Sequence, residues 1–474
     1  MLIKGTLMLA FAAVFAAAML PAHAVTDAQR ISALEAQLDK QQQALDAMRT
    51  ELSRLKADAP APAQAATTAA AAGEGDATSV TEDIPPQQAE KKLTAEIYGF
   101  VQGDAIYDFK RVDPDWDDTL RVTTIPTQKG IYGNNGDFIF SVRQSRLGVK
   151  GNYGEDITYI LEGELFGVGA DQGQTTLRVR QAWATYKNFG MGQTWSNFMD
   201  IDVFPNTIDY WGPTGMVFYR NKQARYSLPL DDGEFAMSLE SPNTAFSVGR
   251  FRDTDGCDLP NPSPDCASSD STAKDIFQSY NAIPDLTARY RRNGDFGHVQ
   301  VAGIGRKLGY ERLDTGAKGD KYGWGINTSA ALNTWGSDIL KLQVVYGEGI
   351  GNYMNDGGVD LVPDSANLLT AEAETVPLLG VVSYYDHFWN ERWSSTVGWS
   401  MIDLDTGDGQ NGTEFKKGQI ATINLLHYPA DHVLLGTEFS WGERENINGD
   451  SGTDYRIQFS LKVDFDTGNL LQRK

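Results

Sequence analysis

The chain has 474 residues, a formal net charge of −22 and an isoelectric point near 4.6. So acidic a balance argues against nucleic acid as a partner, although a net charge averages over all surfaces and says nothing of the charge inside a pore. After the first residues no run approaches the roughly 20 apolar residues of a membrane-spanning helix, which leaves a soluble exported protein or a β-barrel.

The start of the chain carries Lys4, an apolar run to Leu20 and the small-residue site Ala22-His23-Ala24. This predicts a secretory signal over 1–24, with mature numbering from Val25. A membrane anchor is the alternative; the short run and the cleavage site argue against it. Residues 25–56 then repeat by sevens. Ile31, Leu38, Leu45 and Leu52 fill one seam position, and Leu34, Gln41, Met48 and Leu55 the other. The spacing predicts a coiled-coil oligomerisation helix, with Gln41 lowering stability while fixing register. A single amphipathic helix lying on its own domain is the competing reading, and the seam leaves dimer and trimer open. Residues 57–92, rich in Ala, Pro, Thr and Gln, read as a flexible linker.

From 93 to 465 the pattern has period two. In the last segment Tyr455, Ile457, Phe459, Leu461, Val463 and Phe465 form one face, and Arg456, Gln458, Ser460, Lys462 and Asp464 the other. One wholly apolar and one wholly polar face fit a membrane barrel or a half-solvated sheet. The breaks alternate in length. Short turns fall at GNYGED, KNFG, PLDDG, NGDFG, WGSD, WNER and PAD; longer polar loops lie between them. That is the layout of a bacterial outer-membrane barrel, and the tally predicts about 16 antiparallel strands. Residues 244–251 resemble a further strand but belong to the long loop that carries the cysteines, since counting them gives an odd number. Aromatic residues gather at segment ends, as interfacial girdles require. A large soluble β-sandwich, propeller or β-helix is the alternative; no blade-length repeat supports it. Residues 466–474 form a short C-terminal tail.

The stretch Gly192–Arg225 stands apart. It begins and ends as strand, but Pro205 and Gly212-Pro213 break any ladder. Its apolar content (Phe198, Met199, Ile201, Val203, Phe204, Ile208) demands cover. We read it as a loop folded into the barrel, with Asn206 and Asp209 edging a constriction and Tyr210 and Trp211 within it; an amphipathic loop packed over an ordinary core is the alternative. A barrel of this size otherwise leaves a wide aqueous channel. Arg146, Lys150, Arg178, Arg180, Arg289 and Arg291 fall on polar, inward positions, where guanidinium groups would attract small anions; such residues also serve as a plain solvated face, paired with Asp104, Asp108, Glu162, Glu164, Asp285 and Glu438. Parity sets two conditions. Arg178 and Arg180 face inward only if Gln181 faces outward, and Arg220 and Lys222 share a face that Arg225 does not, unless a bulge intervenes.

Cys257 and Cys266 are expected to pair as a disulfide in an oxidising compartment. No cofactor or metal is expected, and no nucleophile-elbow, zinc-protease or phosphate-loop motif marks an enzyme.

Several stretches carry a family resemblance: FSVRQSRLGVKG (140–151), GQTWSNFMD (192–200), TIDYWGP (207–213), YYDHFWNERWSS (384–395) and YRIQFSLKVDF (455–465). Together with the signal, the heptad helix and the alternating body they resemble the DcaP-like trimeric outer-membrane porins over essentially the whole mature chain. The resemblance implies a homotrimer of 16-stranded barrels in the outer membrane of a Gram-negative bacterium, in contact with lipid and lipopolysaccharide. It places the N-terminal helices in the periplasm as a three-stranded coil, from which they could reach peptidoglycan. It implies passage of small anionic solutes, dicarboxylates in particular, past Arg146, Arg178, Arg180 and Arg220, with Lys150, Lys222, Arg225, Arg289 and Arg291 as further contacts. Against the usual pattern, residues DTGNLLQRK follow the terminal aromatic Phe465. A neutral-sugar or phosphate porin, a barrel enzyme and an envelope tether are the other readings.

Overall fold

The computed structural model describes residues 92–133, 136–248, 277–313, 315–367 and 370–468. The predicted signal, coiled coil, linker (but for its last residue) and Cys257–Cys266 pair lie outside these residues, as does the tail from residue 469.

The body is a closed antiparallel barrel. Its strands in chain order are β1 (Glu96–Asp108), β2 (Asp137–Ser141 continued by Arg146–Tyr153), β3 (Ile157–Phe166), β4 (Thr175–Tyr186), β5 (Phe189–Trp195), β6 (Arg220–Leu230), β7 (Gly233–Glu240), β8 (Phe277–Tyr280 continued by Asp285–Gly294), β9 (Gly297–Arg312), β10 (Lys318–Asn333), β11 (Ile339–Glu348), β12 (Pro377–Asn390), β13 (Trp393–Leu404), β14 (Phe415–Ala430), β15 (Val433–Asn446) and β16 (Ser451–Asp466). The main sheet has 18 hydrogen-bonded segments, and two strands are each interrupted once, which makes 16 strands. β1 pairs with β16 from Tyr98↔Asp466 to Asp108↔Arg456 and so closes the ring. The expected strand count and alternation of short turns and long loops hold, and residues 244–248 stay out of the barrel wall.

Burial is inverted relative to a soluble protein. On β16 Phe459 and Leu461 are about half exposed, at 51% and 48%, while Arg456 and Gln458 are 1% exposed. The same alternation turns Val101, Leu147, Leu177 and Leu239 outward and Asp104, Glu162, Glu164 and Glu240 inward. An apolar band outside and a polar interior are what a lipid-embedded closed sheet requires.

The apolar cores lie inside the barrel and are built from loops. The predicted inward loop, residues 196–219 (L3), buries Phe198, Met199, Val203, Met216 and Val217 against wall residues such as Val345, Tyr384 and Ile402. Two further loops join it, which the sequence reading did not anticipate. The loop 109–136 (L1) buries Val112, Leu120, Val122 and Ile125 against Ile420 of β14. The loop 349–376 (L6) puts Ile350, Tyr353, Met354 and Val362 into the same cluster as L3, bridging to it at Val217–Met354. Irregular backbone inside a barrel needs partners for its polar groups, and wall side chains provide them. Asn327 donates to the Phe198 carbonyl at 2.9 Å, Lys341 to that of Phe204 at 2.6 Å and Gln300 to that of Met199 at 3.1 Å. Close approach depends on glycine at one point. Gly215, at φ 70°, lies against Gly380 and the Met401 carbonyl, with no room for a Cβ.

Candidate functional site

L3 leaves the wall between β5 and β6 and crosses to strands β12 to β16. Asn206 donates its backbone N–H to Asp386 at 3.2 Å, and its side-chain amide reaches the Tyr428 hydroxyl at 3.2 Å. Glu438 of β15 accepts the N–H groups of both Ile208 (2.9 Å) and Asp209 (3.1 Å). The Asp209 carboxylate in turn accepts the Leu120 N–H of L1 at 2.9 Å and lies 3.8 Å from Arg456. Burial raises its pKa above the ordinary carboxylate value, against the pull of Arg456 and the backbone donors. Asn206 and Asp209 thus hold the loop in place, and both also line the cavity beside Arg146 and Arg180. Trp211 joins a node of three loops. Its indole N–H donates to Asp356 of L6 at 3.1 Å, and Arg121 of L1 sits 4.5 Å from the rings of both Trp211 and Trp116 while pairing with Asp356 at 3.3 Å.

Pinned in this way, L3 aims Tyr210 at the opposite wall, where Glu164 of β3 is surrounded by four arginines. Arg178 and Arg180 of β4 pair with it directly. Arg146 of β2 and Arg220 of β6 each stand 3.7 Å away, on opposite carboxylate oxygens. The Tyr210 hydroxyl donates to Glu164 at 2.6 Å and accepts from Arg178. Glu162, one position along the same face, takes Arg180 Nε at 2.9 Å and the Tyr98 hydroxyl at 2.8 Å. Four guanidinium groups thus face two carboxylates, a formal excess of two positive charges. Tyr210 stacks on Phe166 with centroids 3.8 Å apart. Burial first, then the Glu164 carboxylate, raise its hydroxyl above the ordinary phenol value, so it remains a proton donor.

The inward set of β4 depends on a bulge. Glu162 pairs with Gln181 and Gly163 with Val179, so Arg180 is the extra residue. Arg180 is buried and Gln181 accepts the Thr194 hydroxyl at 2.9 Å, both inside the barrel. The parity condition on Gln181 is corrected accordingly: both residues face inward because the bulge resets the alternation.

The four arginines are not equally engaged. Arg178 and Arg180 are hydrogen-bonded to the carboxylates. Arg146 Nε and Arg220 Nη1 are buried with no hydrogen-bond partner among the described residues. Other parts of Arg146 and Arg220 line two different cavities. One, of about 430 Å³, is lined by Gln102, Gln144, Arg146, Glu162, Arg180 and Lys462; the other, of about 300 Å³, by Arg178, Trp211, Arg220 and Asn355. Trp195, Tyr210 and Phe218 line both.

The remaining basic residues separate. Lys150 pairs with Glu96 at 3.1 Å near the short-turn end. Arg225 faces inward and donates to Gln223 at 3.0 Å and to the Trp195 carbonyl, with no carboxylate pairing among the described residues. Arg289 pairs with Glu234, and Arg291 with Asp202 at 2.5 Å and Asp200 at 3.6 Å. Lys222 turns outward between the buried Asn221 and Gln223, which corrects its placement in the pore. Arg220 shares its parity but lies at the strand end, where it folds over the Trp195 ring at 4.9 Å and reaches Glu164. Asp200, Asp202 and His298 come close enough to ligate a cation, but Arg291 occupies that corner, and His298 and Ser329 already hydrogen-bond Asp200 at 2.8 and 2.6 Å.

The chain is DcaP-like: residues 21–241 match the model of the DcaP outer membrane protein family. That span takes in the eyelet arginines, Glu162, Glu164 and all of L3. The solved DcaP channel of Acinetobacter baumannii has a similar fold, with 23% identity and a TM-score of 0.63, covering 79% of this chain and 97% of that one. The anion-selective porin of Comamonas acidovorans is similar at 10% identity and a TM-score of 0.50, covering 79% of this chain and 100% of that one. No curated protein matches by sequence. The chain thus resembles the DcaP outer membrane proteins over that span and shares the barrel fold of the solved channels, and the expected family resemblance stands.

Sequence reasoning named the arginines of the DcaP-like eyelet but missed its centre. Glu164 appeared only as an inward acid, and Trp195 and Arg121 were not singled out. For L1 and L6 a signal was present. Trp116, Leu120, Val122 and Ile125, and likewise Ile350, Tyr353, Met354 and Leu361, are as unsuited to a solvated loop as the residues that betrayed L3.

Proposed function

We propose that this channel passes small anionic solutes, with dicarboxylates as the preferred class. The observation that carries the reading is the pair Arg146 and Arg220, each 3.7 Å from opposite oxygens of Glu164 and without a hydrogen bond to it, each keeping one donor unpartnered among the described residues, and lining separate cavities. An anion entering one cavity meets Arg220, and leaving by the other it meets Arg146. A solute with two carboxylates engages both, by the charge-assisted pairing that guanidinium favours. Arg225, without a carboxylate of its own, extends the positive path. In the same reading the barrel is a homotrimer in a Gram-negative outer membrane, with long loops outward and the N-terminal helices forming a periplasmic coil that reaches peptidoglycan.

The test is the reversal potential of the purified protein in a planar bilayer under a KCl gradient, for wild type and Arg146→Ala/Arg220→Ala. Anion preference in the wild type that collapses in the double variant supports the reading. Cation preference in the wild type, or full anion preference in the double variant, refutes it.

A further inference from the structure

The eyelet already contains an anion. Glu164 occupies the point on which Arg146, Arg178, Arg180 and Arg220 converge, which is where a permeating carboxylate gains most. Its carboxylate is sequestered from solvent, at 0% side-chain exposure. A structural ion pair needs one partner; here one carboxylate draws four guanidinium groups, and two of them carry donors that it leaves unsatisfied. Tyr210 adds a strap. It comes from a loop fastened to the far side of the barrel by Glu438 and Asp386, yet its hydroxyl bonds both Glu164 and Arg178. The same ring forms part of both cavities, so the residue that straps Glu164 stands between them.

We propose that Glu164 is a specificity-determining residue, a tethered competing anion that a solute displaces in order to pass, with Tyr210 as the strap that holds it in place. The inference rests on the anion reading for its substrate class, but its electrostatic core does not. Chloride, with a single charge and no fork geometry, competes poorly with a bidentate carboxylate for guanidinium. A solute with two anionic groups engages Arg146 and Arg220 before it has to disturb Glu164. The tethered carboxylate thus lowers leakage of simple halides and leaves passage to solutes that recruit both free arginines.

The experiment uses the full chain in planar bilayers with KCl as the probe, comparing wild type, Glu164→Gln and Tyr210→Phe. Removing one unit charge about 4 Å from a permeating ion, at water-like dielectric, favours chloride about fivefold and disfavours potassium about as much, so the chloride-over-potassium permeability ratio rises about thirtyfold in Glu164→Gln. Tyr210→Phe removes the strap but no charge, so single-channel conductance rises while the ratio stays within about twofold of wild type. An unchanged ratio in a folded Glu164→Gln channel overturns the proposal. Should Glu164→Gln fail to fold, Tyr210→Phe decides, and an unchanged conductance overturns it. A cation-preferring wild type that Glu164→Gln shifts toward anions refutes the anion reading and supports the tethered carboxylate. An anion-preferring wild type with no shift does the reverse.

Discussion

Glu438 is the wall residue that accepts two successive backbone N–H groups of L3, and Glu438→Gln tests how far the loop depends on it. In the native protein one carboxylate oxygen accepts the Ile208 N–H at 2.9 Å and the Asn424 amide at 3.0 Å, and the other accepts the Asp209 N–H at 3.1 Å. A glutamine keeps the shape but turns one acceptor into a donor. It loses one bond to a charged group, about 1.5–3 kcal/mol, and leaves a buried N–H facing an NH₂, for roughly another 1–3 kcal/mol. The barrel ladder is untouched, because β15 keeps its backbone pairing with β14 and β16. The whole cost therefore falls on docking of the L3 tip, where about 3 kcal/mol shifts the docked-to-released ratio by roughly two orders of magnitude. Single-channel recording in KCl should show a higher mean conductance and more open-channel noise, while the folded barrel keeps its heat-modifiable gel mobility. Wild-type conductance and noise from a folded Glu438→Gln barrel would refute the claim that this carboxylate holds the loop.

Two further outcomes follow from the loops. Arg121→Ala removes the cation that joins L1, L3 and L6 and strands the buried Asp356, whose carboxylate burial already raises above its usual value. Losing one partner of such a pair costs about 3–5 kcal/mol, so limited chymotrypsin digestion should cut within L1 and L6 of the folded variant much faster than in wild type, and equal rates would count against the node. Asp117 of L1 is pushed up to about 6, first by burial and then by its neighbour Asp118. A carboxyl raised in the folded state stabilises while protonated. Its contribution is complete below the unfolded value near 4 and fades as pH rises through about 6. L1-dependent current noise should accordingly grow between about pH 5 and 7 in wild type and stay flat in Asp117→Asn.

The sequence by itself determined the wall. Successive side chains in a strand point to opposite faces by covalent geometry, so the alternation in YRIQFSLKVDF reports its two environments without reference to any other residue. Turn residues likewise act locally, which is why the lengths of the breaks were enough to count strands. Register was less legible, because one extra residue, Arg180, brings Gln181 to the inner face alongside it and leaves no composition signal. What only the tertiary structure decided is the interior. Glu438 meets Ile208 across 230 residues of chain, and Arg121 meets Asp356 across 235. Closure of the ring at β1 and β16 turns such distant residues into neighbours around an enclosed space. Inside that space low dielectric favours pairing of the buried charges. That is why arginines visible in the sequence as a basic face become a cluster organised around Glu164.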